Sequence, residues 1–272
     1  LVNGDGINKN YFGNRLITLA VTPKYEFNRY LSLSEHFTYT LANADENYYT
    51  PILGTPNFKI EGIGTIDNKA AAMNAKQDGF MSNTFLTYAR HAGSHDINVQ
   101  GGMRYINNSL VQTIMVGYNS GNDKTPNITK SLKFKDTDGR ETKDITMTWW
   151  AQGNYNYREK YYLSASLGMT SSSRFGTNVS NGVNMFRVPW GIFPSVSGAW
   201  VMSAEPWFKV PFIDYLRINA GYDLTGNDGF DDTASKTFFS SVKFLQVTGL
   251  TMTNIGNSSL QWETTNKLTA GI

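Results

Sequence analysis

Hydrophobic and polar residues alternate along several stretches of the chain. In YLSLSEHFTYTL, residues 30–41, Leu31, Leu33 and Phe37 alternate with serine, histidine and threonine. A period of two residues predicts a β-strand with one apolar and one polar face. The apolar face would contact either the core of a soluble sheet or the lipid of a membrane.

The same alternation, weaker in four segments, predicts nine β-strands. They lie at about 15–22, 30–41, 80–90, 96–105, 144–152, 161–170, 190–203, 216–225 and 262–272. Strands of soluble domains cluster near about five or six residues, and most of these are longer. A strand that crosses a bilayer at a tilt of about 45° needs roughly 9–11 residues. Strand length therefore favours a membrane β-barrel.

The connections between the predicted strands alternate between short and long. The short ones lie at about 23–29, 91–95, 155–159 and 204–213, and the long ones at about 43–79, 107–142, 172–189 and 227–261. Aromatic residues flank three of the four short connections. Outer-membrane barrels have short periplasmic turns, long extracellular loops and interfacial aromatic girdles. These patterns predict an all-β fold, an antiparallel transmembrane β-barrel.

The predicted strands do not complete such a barrel. Bacterial single-chain barrels close with an even number of strands, and nine is odd. An unpaired strand edge in lipid would leave backbone polar groups unsatisfied. We therefore expect residues 1–272 to be part of a single, larger barrel domain.

Two assignments are uncertain on the alternation alone, and one loop segment predicts a helix. Glu35 falls on the apolar face of its strand, where a bulge or a protein neighbour would have to accommodate the carboxylate. The segment 80–90 alternates poorly on either face. Residues 67–76, DNKAAAMNAK, predict a short helix capped by Asp67 within the first long loop.

Composition agrees with a membrane barrel and disfavours other classes. The net charge of +2 is too small to indicate a nucleic-acid partner, and the absence of cysteine excludes disulfides and thiolate metal sites. No apolar run approaches the roughly 18 residues of a transmembrane helix. A mean hydropathy of −0.36 is compatible with a barrel, because barrel strands place apolar residues only at alternate positions.

The chain carries no recognisable catalytic or metal-binding motif. His91 and His95 bracket HAGSH, which predicts a hairpin tip rather than a metal pair, and GNDGFDD at 226–232 lacks the spacing of a calcium loop. We expect no enzymatic activity, no cofactor and no metal site.

The residues that we expect to matter for function belong to two groups. Polar side chains predicted to line the lumen are His36, Gln100, Arg104 and Arg217. Loop aromatics predicted to contact a substrate or a partner are Tyr48, Tyr49, Phe238, Phe239 and Phe244.

Four segments resemble motifs of the SusC-like TonB-linked outer-membrane transporters of Bacteroidetes. The segments are YNYREKYYLSASLGMTSSSRFG (155–176), WGIFPSVSGAWVMSAEPWFK (190–209), LRINAGYDLTGNDGF (216–230) and SSLQWETTNKLTAGI (258–272). They occur in the order found in that family. Residues 169–171 and 257–259 depart from the family pattern at loop or strand-end positions, and residues 1–154 match only in general character.

The resemblance implies a specific function and specific partners. It implies a 22-stranded barrel around a plug, with the plug, the TonB box and the remaining strands outside this sequence. A SusD-like surface lipoprotein would cover the long loops, and TonB would drive import of an oligosaccharide or oligopeptide across the outer membrane. Two alternatives remain from the residues alone: a passive porin or scaffold barrel of another outer-membrane complex, and a soluble carbohydrate-binding β-protein.

Overall fold

Most residues in the described part of the chain belong to β-strands. The computed structural model describes residues 9–61, 63–180, 182–244 and 247–272. Its strands are β1 Lys9–Val21, β2 Lys24–Glu26, β3 Leu31–Thr50, β4 Phe58–Ile60, β5 Gly64–Ile66, β6 Lys69–Ala92, β7 His95–Tyr118, β8 Phe134–Tyr157, β9 Tyr161–Ser172, β10 Val183–Met185, β11 Val188–Val201, β12 Arg217–Asn227, β13 Phe238–Phe244, β14 Val247–Asn254 and β15 Glu263–Gly271. A 3₁₀ helix spans Met202–Ala204. No helix in the described ranges is long and apolar enough to cross a membrane.

The main sheet follows the order of the chain. Its nine principal strands are ordered β1-β3-β6-β7-β8-β9-β11-β12-β15, and the short strands β2 and β10 pair with β3 and β11. Two hairpins, β4-β5 and β13-β14, lie within long connections. Neighbouring strands such as β8 and β9, or β11 and β12, pair antiparallel. The predicted antiparallel sheet of nine principal strands is confirmed. The connection 202–216, predicted to be short, has the same length as the connections 119–133 and 173–187, so the alternation of short and long connections does not hold there.

Several strands are longer than the alternation predicts. Strands β6, β7 and β8 have 24 residues each and β3 has 20, so they extend into segments predicted as the long loops 43–79 and 107–142. The predicted helix at 67–76 is wrong, because residues from 69 onward belong to β6. Ala70 is buried with Tyr49 and Leu132, so tertiary packing and strand pairing override the local helix propensity of the alanines.

The chain divides into two compact units. Unit 1 comprises residues 1–19, 38–80 and 108–143, and unit 2 comprises residues 20–37, 81–107 and 144–272. Unit 1 contains a small buried core of Tyr49, Ala70 and Leu132. Unit 2 contains the four motif segments quoted above.

Candidate functional site

The pairing register of β8, β9, β11, β12 and β15 gives the sheet two chemically different faces. Directly paired residues project to the same face of a sheet. The apolar face carries Trp149, Ala151, Leu163, Leu167, Met169, Ile192, Val196, Ile218, Ala220, Tyr222, Leu268 and Ala270. The polar face carries Gln152, Asn154, Asn156, Ser164, Ser166, Ser195, Ser197, Asn219, Asp223, Lys267 and Thr269.

The apolar face is exposed instead of packed on a core. Trp149 is 45%, Leu163 50% and Val196 47% exposed. A contiguous exposed apolar sheet face is typical of a membrane barrel and unusual for a soluble monomer. A groove of about 600 Å³, lined by Leu33 and Leu86 among others, continues this face onto β3 and β6. The apolar residues of YLSLSEHFTYTL therefore belong to the lipid-facing side.

A row of aromatic rings lies at the end of the apolar face nearest the short connections. The ring centres of Tyr157 and Tyr161 are 6.2 Å apart, those of Tyr161 and Trp200 6.3 Å, and those of Trp200 and Trp207 6.0 Å. Tyr161 and Trp200 donate hydrogen bonds to Glu205 in the adjacent turn, at 2.6 and 3.2 Å. These donors hold the pKa of Glu205 below its usual range. The row has the position of an interfacial aromatic girdle.

Glu35 lies on the apolar face, and a neighbouring strand accommodates it. The Ser82 hydroxyl donates to its Oε1 at 2.8 Å, and the Thr84 hydroxyl donates to its Oε2. Both hydroxyls come from β6. The same contacts explain why 80–90 alternates poorly, because this strand places hydroxyls on the apolar face to pair with the carboxylate.

The polar face carries an aromatic cluster that includes His36. The His36 ring stands edge-on to Phe85 at 5.2 Å between centres, and Phe85 contacts Trp150 at 5.6 Å. The Trp150 indole donates to Asn83 Oδ1 at 3.1 Å. The alternation of 144–152 places Trp150 among the polar positions of its strand, whereas the sequence did not indicate Phe85, which lies in the poorly alternating segment 80–90.

The structure also shows the surroundings of the three other residues predicted to line the lumen. Gln152 Nε2 donates to Gln100 Oε1 at 2.6 Å, which places Gln100 on the polar face. The Arg217 guanidinium lies over the Tyr162 ring, 5.3 Å from its centre. Arg104, four residues after Gln100 on β7, is exposed. A role in binding a substrate stays a prediction for all four candidates.

A network of polar side chains joins two long loops of unit 1. Tyr49 donates to Asp123 Oδ1 at 2.7 Å, and the Ile52 N–H donates to both carboxylate oxygens at 3.0 and 3.1 Å. Asn68 donates to Tyr49 and Ser120 at 3.0 and 2.7 Å. The loops 51–68 and 119–133 are thus fixed to each other by buried or half-buried hydrogen bonds.

The charges of this network shift two pKa values. Burial raises the pKa of Asp123, but donation by Ile52, Tyr49 and Asn68 outweighs burial and lowers it overall. Burial and the neighbouring carboxylate raise the pKa of Tyr49 to about 12. At neutral pH the Tyr49 hydroxyl is therefore neutral and the Asp123 carboxylate is ionised, and the two form a charge-assisted hydrogen bond.

The predicted loop aromatics differ in exposure. Tyr49 is only 1% exposed, so its ring packs within the loops and is not presented to a ligand. This corrects its predicted contact role. Tyr48 is 38%, Phe238 40% and Phe239 58% exposed, so these rings are accessible. Phe244 lies outside the residues whose side chains the structure describes.

A second cluster, in unit 2, joins the four motif segments. Phe175 contacts Trp262 and Phe230 at 4.8 and 6.2 Å between ring centres, and Trp262 contacts Phe193 at 5.9 Å. Phe175 and Trp262 are buried. The sequence did not predict this cluster. Each of the four segments that resemble family motifs contributes one ring to it.

Arg174 lies beside this cluster in the chain and connects distant segments through ion pairs and a hydrogen bond. Its Nε donates to Asp232 Oδ1 at 2.5 Å, its Nη1 to the carbonyl of Asp228 at 3.3 Å, and its Nη2 lies 3.4 Å from Asp144 Oδ2. Burial lowers the pKa of Arg174, but these acidic partners outweigh burial and raise it overall. Arg174 is therefore a permanently charged link between the segments at 173–187 and 228–262.

The histidines at the β6–β7 turn have hydrogen-bond partners. His91 Nδ1 contacts Asp96, and His95 Nδ1 lies 2.8 Å from the Tyr155 hydroxyl. Across the described ranges, no group of three or more histidine, cysteine or acidic side chains is arranged to hold a metal ion.

Comparison with known proteins identifies relatives of one kind. No family model matches the chain. A TonB-dependent receptor of Formosa agariphila is 31% identical over 159 residues, covering 58% of this chain and 14% of the relative. A second receptor of that organism is 24% identical over 266 residues, covering 91% and 24%. The TonB-dependent receptor SusC of Bacteroides thetaiotaomicron is 20% identical over 202 residues, covering 70% and 19%. The predicted resemblance to SusC-like TonB-linked proteins is confirmed.

Solved structures show the same fold. The RagAB peptide transporter matches with a TM-score of 0.78 at 16% identity, covering 96% of this chain and 28% of the matched chain. The RagAB peptide importer in its open-open state matches with a TM-score of 0.76 at 17% identity. The chain spans about a quarter or less of the curated relatives it matches. The predicted fold class, part of an antiparallel transmembrane β-barrel, is confirmed.

Proposed function

We propose that this chain forms part of the wall of a TonB-dependent transporter in the bacterial outer membrane, which imports an oligosaccharide or oligopeptide. The observation that carries the proposal is one continuous sheet with an exposed apolar face and a polar face. Such a sheet fits between lipid and a wet lumen. The relatives named TonB-dependent receptors support active import over passive diffusion. Residues 1–272 would belong to a single barrel domain.

We further propose two partners for the whole protein. A SusD-like lipoprotein would cover the long loops, and TonB would act through a plug and an N-terminal segment outside this sequence. The resemblance to SusC supports both partners. The hydrogen-bonded loops 51–68 and 119–133 support the first, because they offer a preformed surface to a lid.

The two faces can be tested directly, because this chain has no cysteine. Ser195 and Val196 are adjacent on β11 and project to opposite faces. Single Ser195→Cys and Val196→Cys variants are made in the full-length protein, freed of any other cysteine, and exposed to a small charged thiol reagent in intact outer membranes. We expect the reagent to label position 195 and not position 196. Equal labelling of both positions would contradict the barrel-wall assignment.

Energy coupling requires a separate experiment. Cells that carry the full-length gene are given labelled oligosaccharide and oligopeptide mixtures, with and without TonB and with a protonophore. We expect uptake of one mixture to depend on the gene, on TonB and on the proton gradient. Uptake that persists without TonB would instead identify a passive porin. Co-purification of a surface lipoprotein with the tagged transporter tests the proposed lid.

A further inference from the structure

A cavity of about 480 Å³ lies on the polar face, where β8, β9, β11 and β12 run side by side. Its lining includes Trp150, Gln152, Ser166, Gly168, Phe193 and Asp223. All of these residues belong to unit 2. The volume falls within the range of about 300–1,000 Å³ that is typical of small-molecule sites.

The strand register places these residues in two adjacent rows on one face. Directly paired residues project to the same face of a sheet. The first row is Trp150, Gly168 and Phe193, and the second is Gln152, Ser166, Ser195 and Asp223. The cavity therefore combines an aromatic row and a polar row on the side of the sheet that faces away from lipid.

Gly168 gives the cavity its depth. A β-carbon at position 168 would lie 3.9 Å from the Phe193 carbonyl oxygen and would have no closer neighbour. Glycine here is thus not required by a close approach of the strands. It leaves open space between its two neighbours in the aromatic row.

The indole of Trp150 is held in one orientation beside this space. Its N–H donates to Asn83 Oδ1 at 3.1 Å, and its ring contacts Phe85 at 5.6 Å between centres. Both contacts come from β6, on the side away from Gly168. A fixed aromatic ring beside polar groups suits a sugar, because the C–H groups of one pyranose face pack against the ring by dispersion and apolar burial.

The polar row holds hydrogen-bonding groups in place and leaves some of their atoms available. Gln152 Nε2 donates to Gln100 Oε1 at 2.6 Å, so Gln152 Oε1 can accept and Gln100 Nε2 can donate further bonds. Asp223 accepts from the Ser195 hydroxyl at Oδ1, which leaves Oδ2 as an acceptor. Sugar hydroxyls donate and accept, so they match this mixed set, and a bond to the carboxylate is charge-assisted.

The charges and strand edges of the cavity favour a neutral sugar over a peptide. Among the described residues that line it, Asp223 is the one charged residue, and Lys267 is its register partner on β15. The lining thus has no cation to bind a carboxylate. Each of the four lining strands is paired on both sides, so none offers a backbone edge on which a peptide could form a further strand.

We propose that this cavity binds a neutral oligosaccharide, with one pyranose ring packed on Trp150 and its hydroxyls bonded by Gln152 and Asp223. Its place on a transport path rests on the proposed function, and there it selects oligosaccharide from the two proposed classes of cargo. Binding itself does not depend on transport.

The test follows the reactivity of a single cysteine in the cavity. Ser166→Cys is made in the full-length protein, freed of any other cysteine and purified in a detergent without a sugar head group. Trisaccharides of α-linked glucose, β-linked glucose, mannose and galactose are titrated against its labelling by a small neutral thiol reagent. We expect at least one of them to slow labelling about fivefold or more at saturation.

Asn219→Cys is the matched reporter, because Asn219 is exposed on the same face but lies outside the cavity lining. Its labelling should be unaffected by the sugars. Position 166 left unprotected by all four sugars, or unreactive with and without them, overturns the proposal, because the cavity must be open to a ligand.

A glycine pair locates the binding. Gly168→Val fills the open space, so we expect it to abolish protection at position 166. Gly198→Val adds the same side chain on the apolar face of β11 and should retain protection. Protection that persists in Gly168→Val overturns the proposal.

A tryptophan pair tests the aromatic surface. Trp150→Leu should raise the sugar concentration for half-protection about tenfold, and Trp149→Leu, on the opposite face of β8, should leave it unchanged. Urea unfolding checks that each variant folds. Gly168→Val decides the test if Trp150→Leu does not fold, since the added β-carbon meets no atom within 3.9 Å. Equal half-protection in a folded Trp150→Leu variant and the wild type overturns the proposed packing.

A peptide arm separates the two classes of ligand. The neutral peptide (Gln-Ala)₃ is titrated in the same way, and we expect it to protect position 166 at least about tenfold more weakly than the best trisaccharide. Equal protection by the peptide overturns the sugar assignment. Failure of TonB-dependent uptake with sugar protection intact affects only the proposed function.

Discussion

Trp262 packs edge-on against Phe175, with their ring centres 4.8 Å apart. The contact joins the residue before the last strand to the loop that follows β9, 87 positions earlier in the chain. Both rings are buried, at 5% and 8% exposure. A backbone hydrogen bond from Gly176 to the Leu260 carbonyl, at 2.8 Å, runs beside the rings. The pair therefore anchors two long connections of unit 2 to each other.

Replacing Trp262 by alanine removes this anchor. We expect the free energy of unfolding to fall by about 3–5 kcal/mol, as for other buried aromatic-to-alanine changes. Urea unfolding of the full-length protein in detergent measures the change. Phe186→Ala is the matched control, because Phe186 lies in the same connection as Phe175 but is 82% exposed. A loss of equal size in both variants would contradict the anchoring role.

Replacing Arg174 by methionine leaves its acidic partners unpaired. Arg174 has two ion pairs, and Asp144 Oδ1 is already buried without a hydrogen-bond partner in the described structure. We expect a loss of about 1–3 kcal/mol and faster proteolysis within 173–187 and 228–262. Lys24→Met is the control, because the Lys24–Glu26 pair is exposed and worth less than about 1 kcal/mol. Proteolysis at the wild-type rate in Arg174→Met would refute the prediction.

The alternation in the sequence predicted the faces of the strands and missed their full lengths. Successive side chains of a strand project to opposite faces of its sheet, so the alternation at 161–170 reveals locally which residues lie on each face. Residues 134–143 of β8 are strongly polar and carry no such alternation. Their strand conformation is set by pairing with neighbours beyond the bilayer, where both faces are wet, and a single segment does not encode it.

The local sequence also does not determine which of the candidate site residues are accessible. Tyr48 and Tyr49 are adjacent and chemically identical, yet only Tyr49 is buried. Its burial depends on Asp123, which is 74 positions away in the chain. Similarly, Arg90 reaches the ring of Tyr30, 60 positions earlier in the chain, only because β3 and β6 are neighbours in the sheet. Local patterns identify polar and apolar faces, whereas contacts between distant residues determine which side chains remain accessible.

The Asp123 network should respond to pH only at the extremes. The lowered pKa of Asp123 stabilises the fold above the unfolded value of about 4, and this contribution is lost as pH falls through the lower folded pKa. The raised pKa of Tyr49 contributes fully below its unfolded value of about 10, and this contribution is lost as pH rises through about 12. We expect amide-exchange protection of Ile52 and Leu53, corrected for intrinsic rates, to be constant between about pH 5 and 9.

Asp123→Asn tests the same network at neutral pH. The amide cannot replace a charged acceptor of several donors, so we expect the protection of Ile52 and Leu53 to fall about tenfold or more. Asp138→Asn, at an exposed position of β8, is the control and should leave both amides unchanged. Protection that is insensitive to Asp123→Asn would show that the loops are held by other contacts.

Glu35 should tolerate loss of its charge better than loss of its partners. Glu35→Gln keeps a hydrogen-bonding group beside Ser82 and Thr84, and we expect a change below about 1 kcal/mol. A Ser82→Ala, Thr84→Ala double variant leaves a carboxylate on the lipid-facing side without donors, so we expect a larger loss, of about 2–4 kcal/mol. Urea unfolding in lipid vesicles gives both values. The reverse order would mean that the charge of Glu35 has a partner other than these hydroxyls.

Gly102 lies opposite Phe85 in the β6–β7 pair, at the centre of the aromatic cluster on the polar face. A β-carbon at position 102 would lie 2.5 Å from the β-carbon of Phe85 and would also meet the Thr84 carbonyl. Gly102→Ala therefore forces the strand backbone or the Phe85 side chain to move, and we expect a loss of about 1–3 kcal/mol with altered near-ultraviolet signals from Trp150.

Gly153→Ala is the matched control, because the nearest atom to its new carbon is Val99 Cγ2 at 3.8 Å. Since alanine favours a strand more than glycine does, that variant should be neutral or slightly more stable. Equal stabilities for the two variants would mean that β6 and β7 can separate at Gly102 without cost, which the close approach of Phe85 argues against.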